Sequence, residues 1–194
     1  MGRVKSQVKS VEDTLSVCLQ NNLTFAAFRL PNKDQAEIII QKNNGADEVE
    51  DLSKVTKLNG FLVAPFLHSN DNRMFIIKPD YYFKGEIEAR QFAKIKKIKH
   101  PEKENHLPGI PYEASKEEYL EQIGIITGAI ENNEVQKVVL SRVKVVKHES
   151  ENQLHEIFAN LCSRFSNAFV YLFNANGQLW MGATPEPFAF LREN

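Results

Sequence analysis

Short β-type segments follow one another closely in the first 80 residues of this chain. Phe25 to Leu30 ends at Pro31, and Ala36 to Gln41 holds three consecutive isoleucines. Gly60 to Phe66 and Met74 to Lys78 come next. Turn-rich stretches such as Asn43-Asn44-Gly45-Ala46-Asp47 and His68 to Asn72 join them, with no helix-length spacer. Parallel neighbours need a long crossover, usually a helix, so these strands are predicted to pair antiparallel. Antiparallel sheet packed with helices in layers is an α+β fold.

Helical patterns flank and follow these strands. Ser10, with Asp13 three residues on, is a weaker relative of the capping box, and Val11, Leu15, Cys18 and Leu19 fall on one helical face. Cys18 therefore reads as a small core residue rather than a reactive thiol. From Gly85 to His100 acidic Glu86 and Glu88 come first and Lys94, Lys96, Lys97 and Lys99 last. That order suits a helix dipole, and the lysines are predicted to form a solvated helix face rather than a nucleic-acid stripe. Pro101, Pro108 and Pro111 then mark an irregular connection.

In the second half, Ser115-Lys116-Glu117-Glu118 is a full capping box, followed by an apolar stripe of Tyr119, Ile123, Ile126 and Ile130. Lys137 to Val146 has strand character, with Lys137, Val139, Ser141, Val143 and Val145 on one face. Leu154, Ile157, Phe158, Leu161 and Phe165 predict a third helix, with His155 on its polar side and exposed. Ala168 to Phe173 and Gln178 to Ala183 flank Asn174-Ala175-Asn176-Gly177, whose Asn-Gly pair predicts a tight hairpin. A last strand-like run, Phe188 to Leu191, ends three residues before Asn194 and reads as cut rather than finished. Its unpaired edge predicts self-association.

Composition removes whole classes of function. With 24 basic and 25 acidic residues the net charge is −1, so no overall field recruits nucleic acid or an anionic membrane. The 42% hydrophobic content suffices for a core. Cys18 and Cys162 make neither a disulfide framework nor a four-thiolate zinc site. The charged N-terminus lacks a signal-peptide apolar region, and the longest apolar run, Phe61 to Leu67, is only seven residues. A cytoplasmic protein without a membrane or nucleic-acid partner is the expectation.

Few residues could carry chemistry. His68, His100, His106, His148 and His155 form no metal-ligand pair, and the nine glycines form no phosphate loop. Lys137 opens an apolar strand; buried at the strand base its amine would be pushed down toward the range of a base, while at a strand end it would reach water. Glu186 lies in Thr184-Pro185-Glu186-Pro187, where the prolines restrict the backbone to extended forms. A carboxyl held this way suits acid–base work, and an exposed loop glutamate is the alternative.

Lys137-Val138-Val139-Leu140-Ser141-Arg142 resembles the Lys-Val-Val-Leu-Ser/Ala-Arg strand of the chorismate-binding enzymes, specifically isochorismate synthases. Gly182-Ala183-Thr184-Pro185-Glu186 resembles their Gly-Ala-Ser/Thr-Pro-Glu motif, and the separation of 49 residues from Lys137 to Glu186 is close to the family spacing. Phe25 to Pro31 and Gly60 to Phe66 also look like the family's N-terminal strands. Pro187 departs from the leucine or arginine that follows the motif glutamate in the family.

The resemblance implies the substrate chorismate and its isomerisation to isochorismate, in menaquinone or siderophore biosynthesis. Lys137 would be the base that activates water for C2, and Glu186 the acid that protonates the departing C4 hydroxyl. It implies Mg2+ as cofactor, held by glutamates of a C-terminal half that this sequence does not contain. Residues 1–194 would then be the N-terminal part of a single chorismate-binding domain, inactive by itself. The alternatives are salicylate synthase, another chorismate-utilising enzyme, or a non-catalytic half-domain. Anthranilate and aminodeoxychorismate synthases generally lack the lysine matching Lys137 and rank lower.

Overall fold

The computed structural model describes residues 8–65, 73–101, 112–146 and 153–185. They fall into two compact units, Met1–Asn105 with Ser150–Asn194, and His106–Glu149.

The first unit is built on a five-stranded antiparallel sheet, ordered β10-β9-β2-β3-β7. Its strands are β2 (Thr24–Arg29), β3 (Glu37–Gln41), β7 (Tyr81–Lys84), β9 (Phe169–Ala175) and β10 (Gln178–Thr184). Helices α1 (Val11–Gln20), α2 (Ala89–Ile95) and α4 (Leu154–Arg164) supply the apolar side chains that cover one face. A three-stranded sheet, β4-β6-β5, packs on the other; its strands are β4 (Asp47–Val49), β5 (Phe61–Val63) and β6 (Met74–Ile77). The fold is α+β, as predicted.

This layering explains the isoleucine run. Side chains of a strand alternate between faces, so a strand covered on both sides reads as continuously apolar. Ile38 and Ile40 join Leu15, Cys18, Phe25, Phe158 and Leu172 under the helices. Ile39 joins Ala26, Phe75, Ile77 and Phe173 between the sheets. Each fully buried isoleucine or phenylalanine is worth about 1.5–3 kcal/mol.

The predicted capping motif of α1 is complete: Asp13 N–H donates to Ser10 Oγ at 3.0 Å and Ser10 N–H to Asp13 Oδ2 at 3.1 Å. The hairpin is also as predicted. Asn176 and Gly177 are its two-residue turn, both at positive φ (53° and 76°), the twist that matches flanking strands. The Gly85 to His100 segment is corrected. Glu86–Glu88 is a strand, β8, paired with β1 (Val8–Ser10), and only Ala89–Ile95 is helical. The lysines are exposed as expected, whereas Ile95 is buried and Ile98 packs against the core.

The second unit is described over 112–146 and has no buried residue there. Its helix α3 (Lys116–Glu131) starts at the predicted box: Glu118 N–H donates to Ser115 Oγ at 3.1 Å and Ser115 N–H to Glu118 Oε2 at 2.8 Å. The strand predicted over Lys137 to Val146 is not formed; these residues are irregular. A strand needs a neighbour for its N–H and C=O groups, and none pairs with this segment among the described residues.

Candidate active site

The two sequence candidates arise at the ends of different local structures. β9 and β10 pair over their whole length, from Gln178↔Ala175 to Thr184↔Phe169. β10 ends at Thr184, one residue before Pro185, which is exposed. Glu186 is the next residue, and it lies outside the described residues, as do Pro187 and the run Phe188 to Leu191. The described part of the motif thus leaves a paired strand at Thr184 and continues into Pro185, whose ring restricts φ.

Lys137 follows the end of α3. Asn132 caps the helix, Asn133 takes a left-handed conformation (φ 59°), and Glu134 N–H bonds back to Ala129 O at 2.9 Å. Lys137 comes three residues later, exposed. Of the two settings considered for Lys137, a buried strand base and a chain position open to water, the side chain is in the open one, on a segment that pairs with no strand among the described residues. Two contacts within the unit hold this stretch instead. Val145 N–H donates to Glu113 Oε2 at 2.9 Å, and the Arg142 guanidinium lies 5.7 Å from the Tyr119 ring centre. Lys137 belongs to the second unit and Glu186 is not described, so no separation is defined for the pair.

Above Gly182 the geometry is tight. A Cβ there would fall 2.6 Å from Cζ and Oη of Tyr171, its partner in the ladder, so no larger residue fits without displacing the ring. Tyr171 is one of three aromatic residues on the same face of β9. Its ring centre is 5.7 Å from that of Phe169 and 6.2 Å from that of Phe173. Phe173 in turn meets Phe61 and Phe75 at 6.1 Å, joining the row to the second sheet.

Sequence reasoning also passed over Arg29, an arginine ending an otherwise apolar strand. It is 3% exposed. Nη1 donates to the carbonyls of Leu30, Lys33 and Ser166, and Nη2 to those of Phe165 and Ala168. It ties the end of β2 to the turn between α4 and β9. A cavity of about 520 Å3 beside it is lined by Ser10, Lys33, Asp34, Phe158 and Cys162 among others. Burial pushes the Cys162 thiol up, against a smaller lowering by Arg29. Burial raises the Cys18 thiol far above its ordinary value, in keeping with a core role. His155 is half-buried rather than exposed, with Nδ1 enclosed. His100 Nε2 lies 2.7 Å from Lys42 O. His68, His106 and His148 lie outside the described residues.

No group of three His, Cys, Asp or Glu side chains among the described residues could hold a metal ion. Those residues do not make a magnesium site. None of the described helices is long and apolar enough to cross a membrane.

A family model described as chorismate binding enzyme matches residues 59–194, and the chain belongs to that family. No curated protein and no solved structure gives a significant match. The matched region contains both motif segments, Lys137 to Arg142 and Gly182 to Glu186.

Proposed function

We propose that this chain carries the base and the acid of an isochorismate synthase, within one chorismate-binding domain of a cytoplasmic, magnesium-dependent enzyme. The observation that carries the reading is the family match over residues 59–194, which holds both motifs in order. Lys137, as the free amine, takes a proton from the water that forms the new bond at C2. The ring double bonds shift, the C4–O bond breaks, and Glu186 gives its proton to the departing hydroxyl. One water enters and one leaves, so the sum is an isomerisation. Simultaneous removal and supply of a proton keeps full charge from building on hydroxide at either end.

The test is a chromatographic assay with chorismate and magnesium. It uses this chain and the same chain extended to the length of a complete family member. Isochorismate from the extended protein is expected. Lys137→Ala and Glu186→Gln should each lower its rate by about 10²–10⁴-fold, the range of general acid–base contributions. Salicylate and pyruvate as products would replace the reading by its salicylate synthase rival. Failure of the extended protein to consume chorismate would overturn it in favour of a non-catalytic domain.

A further inference from the structure

We propose that the cavity beside Arg29 is a binding site for a small carboxylate with an apolar body, an assignment that does not depend on the reading of Lys137 or Glu186. Every residue lining the cavity belongs to the first unit and lies within the described residues. Its volume of about 520 Å3 is that of a small-molecule pocket. Arg29, Phe158 and Val11 are the buried residues of its lining, whereas Ser10 and Lys33 are exposed. The cavity thus joins a buried charge and apolar wall to an open rim.

Arg29 sets the sign of the occupant. A guanidinium has N–H donors on all three nitrogens. Those on Nη1 and Nη2 go to the carbonyls of Leu30, Lys33, Ser166, Phe165 and Ala168, while Nε–H is enclosed and has no acceptor. All five acceptors are neutral, and no carboxylate among the described residues pairs with the guanidinium. Buried charges are normally paired, and carbonyl dipoles offset this one only in part. A carboxylate in the cavity supplies the missing counter-charge. Ser10, Val11 and Glu12 bring the N-terminal, positive end of the α1 dipole to the same cavity. Ser10 Oγ accepts from Asp13 N–H, which leaves its own hydrogen to donate. Glu12 and Asp34 also line the cavity and oppose an anion, but both are exposed, where water and salt screen them. The buried cation is screened far less and outweighs them. Phe158 and Val11 give the occupant an apolar wall, which a bare inorganic anion would not use.

The cavity carries its own reporter in Cys162, a half-buried thiol on its wall, with fully buried Cys18 as the control for unfolding. Benzoate is the probe, benzamide the same body without the charge, and sulfate a charge without the body. The measurement is the rate at which acrylamide, a neutral reagent, alkylates Cys162 in the full 194-residue chain at fixed pH. Benzoate should slow it saturably, with a Kd of about 1 mM for a ligand of this size. Benzamide and sulfate should each need about tenfold more or show no effect. Arg29→Gln should weaken benzoate about tenfold to a hundredfold, the range for a lost charged hydrogen-bonding group. Ala159→Leu adds bulk to the wall from α4, leaves the Arg29 bonds in place and should abolish protection; with the benzamide arm it decides the matter if Arg29→Gln does not fold. No protection by benzoate, equal protection by benzamide or by sulfate, or parent-like benzoate affinity in either folded variant would overturn the proposal.

Discussion

In the first unit, strands β2 and β3 bury every residue except Phe28, which is half-buried; in the second, α3 buries none of its 16 residues. Both regions carry apolar patterns of the kind that predicts a core. The difference lies in what each element needs from its surroundings. A helix closes its backbone hydrogen bonds internally and can persist with an exposed apolar face, given good caps. A strand cannot, and within the second unit the two cases sit side by side. The capped pattern from Ser115 is a helix, whereas the β-branched pattern from Lys137 is irregular. An apolar period thus reports which face an element would bury, not that anything is there to bury it.

The contrast breaks most easily at the core. Phe25 is fully buried under the helices, and Phe25→Ala should cost about 3–5 kcal/mol, the sum of lost transfer energy and the cavity left behind. Ile125 in α3 is 67% exposed, and Ile125→Ala should stay within about 0.5 kcal/mol. Denaturant unfolding of the two variants makes the measurement. A comparable loss in both would show that the α3 face is covered in solution.

Much of the first unit was legible because its signals are local or strongly periodic: the Ser10 cap, the isoleucine run of β3, the Asn176-Gly177 turn and the α4 stripe. What was not legible is set by tertiary pairing. Val8–Ser10, Asp47–Val49, Tyr81–Lys84 and Glu86–Glu88 are strands of three or four residues, and nothing within such a span identifies a strand without its partner. The candidate site divides in the same way. Its motifs stand out only through resemblance. Lys137 is exposed on a segment that no strand among the described residues pairs with, which no local pattern encodes. The Tyr171 contact follows from register: a two-residue turn at Asn176-Gly177 places Gly182 opposite Tyr171 by counting, but the ring's approach to the backbone needs coordinates.

Caps sharpen the comparison at a smaller scale, because both units use the same device. Ser10 and Ser115 each accept from the N–H three residues on and have their own N–H bonded by that residue's carboxylate. Serine to alanine at such a position costs about 1 kcal/mol. Ser10→Ala should lower the global stability of the first unit by that amount, since α1 is part of its core. Ser115→Ala should speed amide exchange along α3 and leave unfolding of the first unit unchanged. A loss of global stability from Ser115→Ala would show the two units to be energetically coupled.

The smallest effect concerns pH and is confined to α3. Glu118 accepts a hydrogen bond from the Tyr112 hydroxyl and others from Ser115, and these hold its carboxyl below the ordinary glutamate value, the tyrosine bond contributing most. A carboxyl lowered in the folded state stabilises the cap above the unfolded pKa of about 4.3, and that contribution fades as pH falls through the folded value. The same bond raises the Tyr112 hydroxyl above its ordinary value, so this partner's contribution is intact below about pH 10 and fades as pH rises through the raised value. Amides in the first turn of α3 should therefore lose protection below about pH 4.3, while those of β2 and β3, whose bonds lie inside the sheet, keep theirs until the unit unfolds. Tyr112→Phe removes the leading cause and should move the Glu118 midpoint up toward the ordinary value, and Glu118→Gln should reduce the acid sensitivity of the first turn of α3. A Glu118 midpoint that Tyr112→Phe leaves in place would show that the hydroxyl does not hold the carboxylate in solution, and that the α3 cap rests on Ser115 alone.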